Sequence, residues 1–355
     1  MIEVAIQLQK LEFTLDAMFS APASGVTGIF GPSGCGKTSL LRALAGLEPS
    51  TTGRIFVAGV EWQGGGKAIP VLTRRIGFVF QDPCLFPHLN VFENLDYARK
   101  RVKNATYQYD IKEISNLLSI ENLMNHKIGM LSGGERQRVS IGRALLSSPS
   151  VLLMDEPMSA LDQTARTQLT LILEKIFQQI EIPVFYVSHS SDEIARLADY
   201  LILMERGKVA AHGKLGEVLG RVDTPLSRSD DAFSVIRCAV ADQELPFLTT
   251  VVSPGGARFR VPTHFLGGET EFSLRIRARD VSLCLLPPVH TSILNVLPAT
   301  VEAIASGRDE GSKTVKLNVA GESLLAQISE HSSQVLQLLP GKAVYAQIKS
   351  VSLLH

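Results

Sequence analysis

Along residues 1 to about 225 the apolar positions switch repeatedly between two periods. The chain opens on an alternating stretch, and short continuous runs follow at Val26 to Phe30, Ile76 to Phe80, Val151 to Met154 and Ile182 to Val187. Such runs predict strands, and the four consecutive apolar residues Val151 to Met154 predict one covered on both faces, as in parallel sheets. Between the strands the spacing turns helical. Leu40, Leu41, Leu44 and Leu47 mark one buried helical face, which Gly46 and the cluster Pro49-Ser50-Thr51-Thr52-Gly53 bring to an end. Phe92 to Leu95 and Ile111 to Leu118 give a mostly helical reading to the segment from Leu85 to Ser148. This half is therefore expected to be α/β, with a helical subdomain. Asp223 to Asp231 is polar and reads as a linker. Beyond it, the alternating runs Arg258 to Val261, Ser273 to Ile276, Lys313 to Val319 and Ala343 to Lys349 are separated by Gly-rich or Pro-rich turns. They predict small all-β barrels or sandwiches.

Composition narrows the picture. A length of 355 residues allows two or three domains. With 35 acidic and 35 basic residues, no excess positive field exists to grip nucleic acid. No apolar run approaches the ~18 residues that span a bilayer. The first residues carry no signal-peptide pattern, so the chain is expected to stay in the cytoplasm. Cys35, Cys84, Cys238 and Cys284 show neither metal spacing nor a disulfide framework. Cys35 precedes a predicted helix, which favours a lowered thiol pKa and protection from alkylation by a ligand held at that helix start.

The candidate chemistry lies at the strand ends. Gly31-Pro32-Ser33-Gly34-Cys35-Gly36-Lys37-Thr38 fits the phosphate-loop pattern G-x-x-x-x-G-K-[ST] between a strand and a helix. Its glycines let backbone N–H groups face the phosphates, and the helix adds its positive dipole end. Lys37 is assigned to the β and γ phosphates and Thr38 to Mg²⁺. Asp155 and Glu156 leave the carboxyl end of a buried strand, where open α/β sheets place ligands. We assign Asp155 to the metal and Glu156 to the attacking water as general base. Leu131-Ser132-Gly133-Gly134-Glu135 begins a second anion-binding helix start. One phosphate chain does not need two cradles from one protomer.

Together these motifs resemble the ATP-binding cassette (ABC) family, and the fold expected is a P-loop NTPase core followed by a small all-β, OB-like C-terminal domain. The resemblance implies that residues 131–135 close over the ATP of the opposite subunit in a head-to-tail homodimer. It also implies that Gln81 is a Mg²⁺ ligand and sensor of the partner, that His189 contacts the γ-phosphate, and that Asp162 belongs to the D-loop, Ser159-Ala160-Leu161-Asp162. Phe13 and Phe19 are the aromatic residues near the N-terminus; on period Phe13 reads as a core strand residue, the alternative being an adenine contact.

The tail narrows the substrate. Arg279 to Leu283, Thr291 to Leu297, Gly341-Lys342 and Tyr345 to Val351 look like the oxyanion-binding barrel of molybdate-import ATPases. The whole chain thus resembles the ATP-binding subunit of a molybdate ABC importer. Expected boundaries are 1–229 for the ATPase, 230–290 for a linker and first β segment, and 291–355 for the oxyanion domain. Thr291, Ser292, Asn295, Lys349 and Ser350 are the oxyanion candidates, and Leu294 departs from the arginine of many relatives. A barrel that only dimerises stands as the alternative. The resemblance further implies membrane permease subunits and an external binding protein as partners, and a peripheral position on the cytoplasmic face of the inner membrane. The exposed candidates Pro83, Leu85, Phe86, Pro87 and His88 form the expected permease socket. An importer of sulfate, ferric ion, polyamine or sugar would share every ATPase motif; a soluble ABC ATPase acting on DNA or ribosomes would add coiled-coil insertions, tandem cassettes or basic arms, which this chain lacks.

Overall fold

The computed structural model describes residues 1–10, 13–65, 67–102, 109–263 and 271–354. Residues 103–108 of the expected helical segment thus lie outside the described residues. Two compact units form, Met1–Gly213 and Lys214–His355.

In the first unit, β1 (Ile2–Lys10) and β2 (Phe13–Ala21) pair antiparallel, with inward residues Ile2, Val4, Ile6 and Leu8 buried and their neighbours exposed. β3 (Val26–Phe30) leads into α1 (Lys37–Ala45), followed by β4 (Thr52–Val57), β5 (Val60–Gly64), β6 (Lys67–Ala68) and β7 (Ile76–Val79). Three helices come next, α2 (Val91–Arg99), α3 (Ile111–Leu117) and α4 (Gly133–Leu146). The unit continues with β8 (Val151–Asp155), α5 (Gln163–Gln179), β9 (Val184–Ser188), α6 (Ser191–Leu197), β10 (Tyr200–Glu205) and β11 (Lys208–Lys214). Eleven strands make one sheet in the order β6-β5-β4-β1-β2-β11-β10-β3-β9-β8-β7. From β10 to β7 neighbouring strands all pair parallel. β3, β8 and β9 are buried along their whole length, as their unbroken apolar runs require.

Register aligns the strand ends. Phe30 pairs with Ser188, Val187 with Asp155, and Met154 with Val79. The residues just past these pairs, Gly31, His189, Glu156 and, two residues beyond Val79, Gln81, therefore leave the same edge of the sheet. α1 buries Leu40, Leu41 and Leu44 under it and stops at Gly46, whose left-handed backbone returns its N–H to Ala43 and Arg42 carbonyls.

The second unit begins earlier than the expected boundary at 229. α7 (Leu215–Leu219) buries Leu215, Val218 and Leu219. The expected linker is ordered as well: Leu226 and Ser227 are buried, and the Ser227 carbonyl accepts from Thr314 Oγ1 at 2.9 Å. Its polar composition hid these long-range bonds. Ten strands follow: β12 (Phe233–Leu245), β13 (Leu248–Val252), β14 (Arg258–Pro262), β15 (Glu271–Arg277), β16 (Val281–Cys284), β17 (Asn295–Ser306), β18 (Ser312–Val319), β19 (Glu322–Ser329), β20 (Ala343–Ile348) and β21 (Ser352–Leu354), with α8 (Glu330–Val335) after β19. They form two five-stranded sheets, β14-β13-β12-β15-β21 and β16-β20-β17-β18-β19. The boundary expected at 290/291 is not a seam, because the sheets exchange edge strands: β16 pairs β20 and β21 pairs β15. Phe259, Leu274 and Ile276 of one sheet share a core with Val301, Leu317 and Ala346 of the other.

Candidate active site

The phosphate loop shapes one wall of a cleft of ≈ 330 Å³ lined by Lys10, Phe13, Ser33, Gly34, Gly36, Lys37, Thr38, Ser39 and Glu156. Pro32, Ser33 and Gly34 are exposed, whereas Gly31, Cys35 and Lys37 are buried. Gly36 caps α1 with φ 101°, and a Cβ there would lie 2.4 Å from Phe13 Cζ, so only glycine fits. Phe13 thus opens β2 and packs half-buried on the core, as its period predicts, while its ring also covers the phosphate loop at Gly36. Pairing of Phe13 with Lys10, at the end of the hairpin, carries it to the cleft. Lys37 Nζ donates to the carbonyls of Gly31 at 2.8 Å and Pro32 at 3.1 Å.

Cys35 departs from expectation. Its side chain is buried beneath the loop, with Sγ 2.8 Å from where a Gly31 Cβ would stand, and burial pushes the thiol up despite the Lys37 charge. Cys35 contributes its backbone, not a reactive thiol. Alkylation of the native protein should modify the exposed Cys84 about tenfold faster than Cys35, irrespective of ATP. Peptide-resolved labelling checks this; preferential labelling of Cys35 would contradict the buried placement.

Two carboxylates face the loop. Asp155 is buried; desolvation pushes its carboxyl above the ordinary range, and the charge of Glu156 adds to this, against the hydrogen bond from Thr38 Oγ1 to Asp155 Oδ1 at 3.0 Å. A hydroxyl and a carboxylate at this distance, the carboxylate short of compensating charge, form a hard oxygen donor set that fits Mg²⁺. Glu156 adopts φ 44°, uncommon for a residue with a side chain and costing ~1–3 kcal/mol. Its N–H on Val187 O and the Ser159 N–H and Oγ on its own carbonyl hold that turn. The carboxylate reaches Lys37 Nζ at 4.0 Å and His189 Nδ1 at 3.1 Å. Lys37, Thr38, Asp155, Glu156 and His189 are thereby brought together. Gln81 is exposed beyond β7, joined to the helical segment through its neighbour: buried Gln137 Nε2 donates to Phe80 O at 3.4 Å.

Residues 131–135 stand apart from this cluster in their local roles. Ser132 caps α4, with Oγ accepting from Glu135 N at 3.2 Å while Glu135 Oε2 accepts from Ser132 N at 2.7 Å. This S-x-x-E capping box occupies Glu135, and Leu131 is buried. Ser132 and Gly133 remain exposed, with Gly134 partly so. Asp162 caps α5, accepting from Ala165 N at 2.9 Å. Asn94, fully buried, bonds the Phe86 N–H and carbonyl and so shapes the loop expected to seat a permease. Phe86 lies eight residues back, a distance no local pattern reads, and Nδ2 also donates to the Asn90 carbonyl at 2.9 Å.

Of the oxyanion candidates, Asn295 is corrected: it is buried, with Oδ1 accepting from Arg260 N at 2.7 Å and Nδ2 donating to Arg260 O at 3.0 Å. It ties β17 to β14. Ser350 Oγ donates to Asp280 Oδ2 at 2.6 Å, a carboxylate that opposes a second anion. Thr291 Oγ1 accepts from Ile293 N at 3.1 Å, and Thr291, Ser292 and Lys349 are exposed. Among the described residues no helix is long and apolar enough to cross a membrane.

Residues 15–159 match the ABC transporter family and residues 291–354 the TOBE domain. The molybdenum import ATP-binding protein ModC of Albidiferax ferrireducens is 44% identical over 355 residues, covering 99% of this chain and 96% of its own. ModC of Pseudomonas aeruginosa is 44% identical over 346 residues, covering 96% of each. Among solved structures, the dimeric post-hydrolysis state of the ATP-binding cassette MJ0796 bound to ADP and Pi superposes with a TM-score of 0.51 at 26% identity, over 61% of this chain and 99% of that one. A second dimeric structure of MJ0796 matches with a TM-score of 0.51 at 27% identity, over 61% of this chain and 99% of its own.

Proposed function

The chain belongs to the ABC transporter family, in the group of molybdenum import ATP-binding proteins, and from that premise we propose that it hydrolyses ATP to drive molybdate import as the motor subunit of a transporter. The observation that carries this reading is the match over 99% of the chain, which includes the second unit as well as the ATPase. An ATPase half alone is shared by importers of many solutes; support for molybdate comes from relatives that match through the second unit, residues 291–354 of the TOBE domain included.

In this reading the loop amides from Gly31 to Thr38 and the Lys37 ammonium hold the triphosphate. Thr38 and Asp155, with Gln81 across the sheet edge, would hold Mg²⁺, which supplies charge neutralisation on the phosphate oxygens. Glu156 takes a proton from the attacking water, and His189, 3.1 Å from its carboxylate, keeps that water in line with the γ-phosphate. The chain works as a homodimer in which Ser132, Gly133 and Gly134 meet the partner's nucleotide, an assembly supported by the dimeric cassettes it superposes on. Permease subunits, seated near Pro83 to His88, and an external binding protein complete the transporter, with this subunit peripheral on the cytoplasmic face of the membrane. In the second unit, Thr291, Ser292 and Lys349 are the remaining oxyanion ligands.

Reconstitution with permease and binding protein in vesicles tests the substrate. Labelled molybdate should accumulate only with ATP, and sulfate in tenfold excess should leave at least half of that uptake. Uptake of sulfate, sugar or polyamine without molybdate would move the chain to another importer. Titration of the full-length protein with molybdate should release heat that Lys349→Ala removes; equal heat from both would clear Lys349 of that role.

A further inference from the structure

The loop that presents His189 is fastened by a buried carboxylate that hydrolysis itself does not use. Ser190 caps α6, accepting from Glu193 N at 3.4 Å, and Glu193 occupies the third helical position. The same S/N-x-x-E spacing closes two reciprocal capping boxes elsewhere, at Asn90 with Glu93 and Ser132 with Glu135. Here the box stays open. Glu193 turns inward, 7% exposed, and its Oε2 accepts from Tyr186 OH and from Ser188 Oγ, both at 2.8 Å. Ser190 N–H, which a closed box would direct to Glu193, donates to Ser188 Oγ at 2.9 Å.

Both neighbours of His189 are thereby pinned to one carboxylate, Ser188 directly and Ser190 through Ser188. The other carboxylate oxygen faces Arg166 Nε at 3.8 Å. Arg166 lies in the first turn of α5, receives the Asp162 carbonyl on its N–H, and donates from its guanidinium to Met158 O at 3.4 Å. A buried carboxylate is costly unless paired and hydrogen-bonded, so its retention in place of an apolar side chain calls for a role beyond filling the core.

We propose that Glu193 and Ser188 are positioning residues that lock the His189 loop against Glu156, and that Arg166, through Met158 and Asp162, connects this lock to the two ends of the D-loop Ser159 to Asp162. They touch neither nucleotide nor water and act only through His189. The proposal rests on the assignment of His189 to the attacking water, and the test separates the two.

ATP turnover at saturating nucleotide and nucleotide affinity are measured on full-length protein for Glu193→Gln, Ser188→Ala, Ser188→Thr and His189→Ala. Gln keeps the size and one acceptor but loses the charge toward Arg166; Ala removes the hydroxyl that links Glu193 to Ser190. Both should lower kcat about tenfold with affinity within twofold, as expected of a displaced catalytic group. Ser188→Thr keeps the hydroxyl and should keep at least half the turnover. A merely structural role would instead lower affinity and kcat together, and would not be rescued by Thr. Wild-type kcat in both Glu193→Gln and Ser188→Ala, with His189→Ala impaired, overturns the lock alone. Wild-type turnover in His189→Ala overturns the assignment beneath it.

Discussion

Replacing Glu156 with Gln should lower ATP turnover by ~10²-fold or more while leaving ATP binding intact, the loss expected when a general base is removed. The substitution is nearly isosteric. An amide oxygen can still accept from His189 at the 3.1 Å separation, and the turn is held by backbone bonds to Val187 and Ser159 that do not involve the carboxylate. Gln tolerates φ 44° no better and no worse than Glu, so stability should change little. Removing the charge also takes away a repulsion that raises the Asp155 carboxyl, leaving Asp155 more readily ionised and a better metal ligand. ATP should therefore accumulate unhydrolysed on a closed dimer. Phosphate release and light scattering with ATP report the two effects. Wild-type turnover would remove Glu156 as the base.

The residues proposed for this chemistry were legible because each sits at or beyond the end of a strand whose apolar run is unmistakable. Lys37, Asp155, Glu156 and His189 follow β3, β8 and β9, and parallel pairing of such strands leaves their carboxyl ends together. The place of Phe13 over Gly36 was not legible, since it depends on how a hairpin end lies across another element. Cys35 illustrates a competition: a helix N-terminus lowers a thiol pKa, but burial raises it, and only tertiary structure says which prevails. Gln137 and Asn295 are polar residues whose partners lie far along the chain, and Asn94 and Glu193 turn inward onto a neighbouring loop or strand, so the composition of all four alone reads as loop or surface. The exception is Glu135. Its S-x-x-E spacing with Ser132 is a local signal, and it assigns that carboxylate to the helix cap of its own chain.

That cap sharpens the test of the two-subunit sandwich. Ser132→Asp keeps a preferred helix cap and adds a negative charge where the dipole of α4 favours one, so the isolated protomer should fold and bind ATP as before. The same charge would face the phosphates of the partner's nucleotide. Turnover should fall about tenfold or more through lost closure, and Glu156→Gln combined with Ser132→Asp should scatter as a monomer in ATP. A dimer from the double variant would put these residues outside the interface. Gly133 supplies the complementary case, because nothing in its own chain demands a glycine. It opens α4, and a Cβ there would meet only Leu161 Cδ2 at 3.8 Å, an ordinary contact. Glycine within a helix costs up to ~1 kcal/mol against alanine, and in the proposed sandwich the missing side chain would make room for the partner's nucleotide. Gly133→Ala should accordingly raise the melting temperature slightly and lower turnover, two changes of opposite sign that a purely intramolecular role for this turn cannot produce.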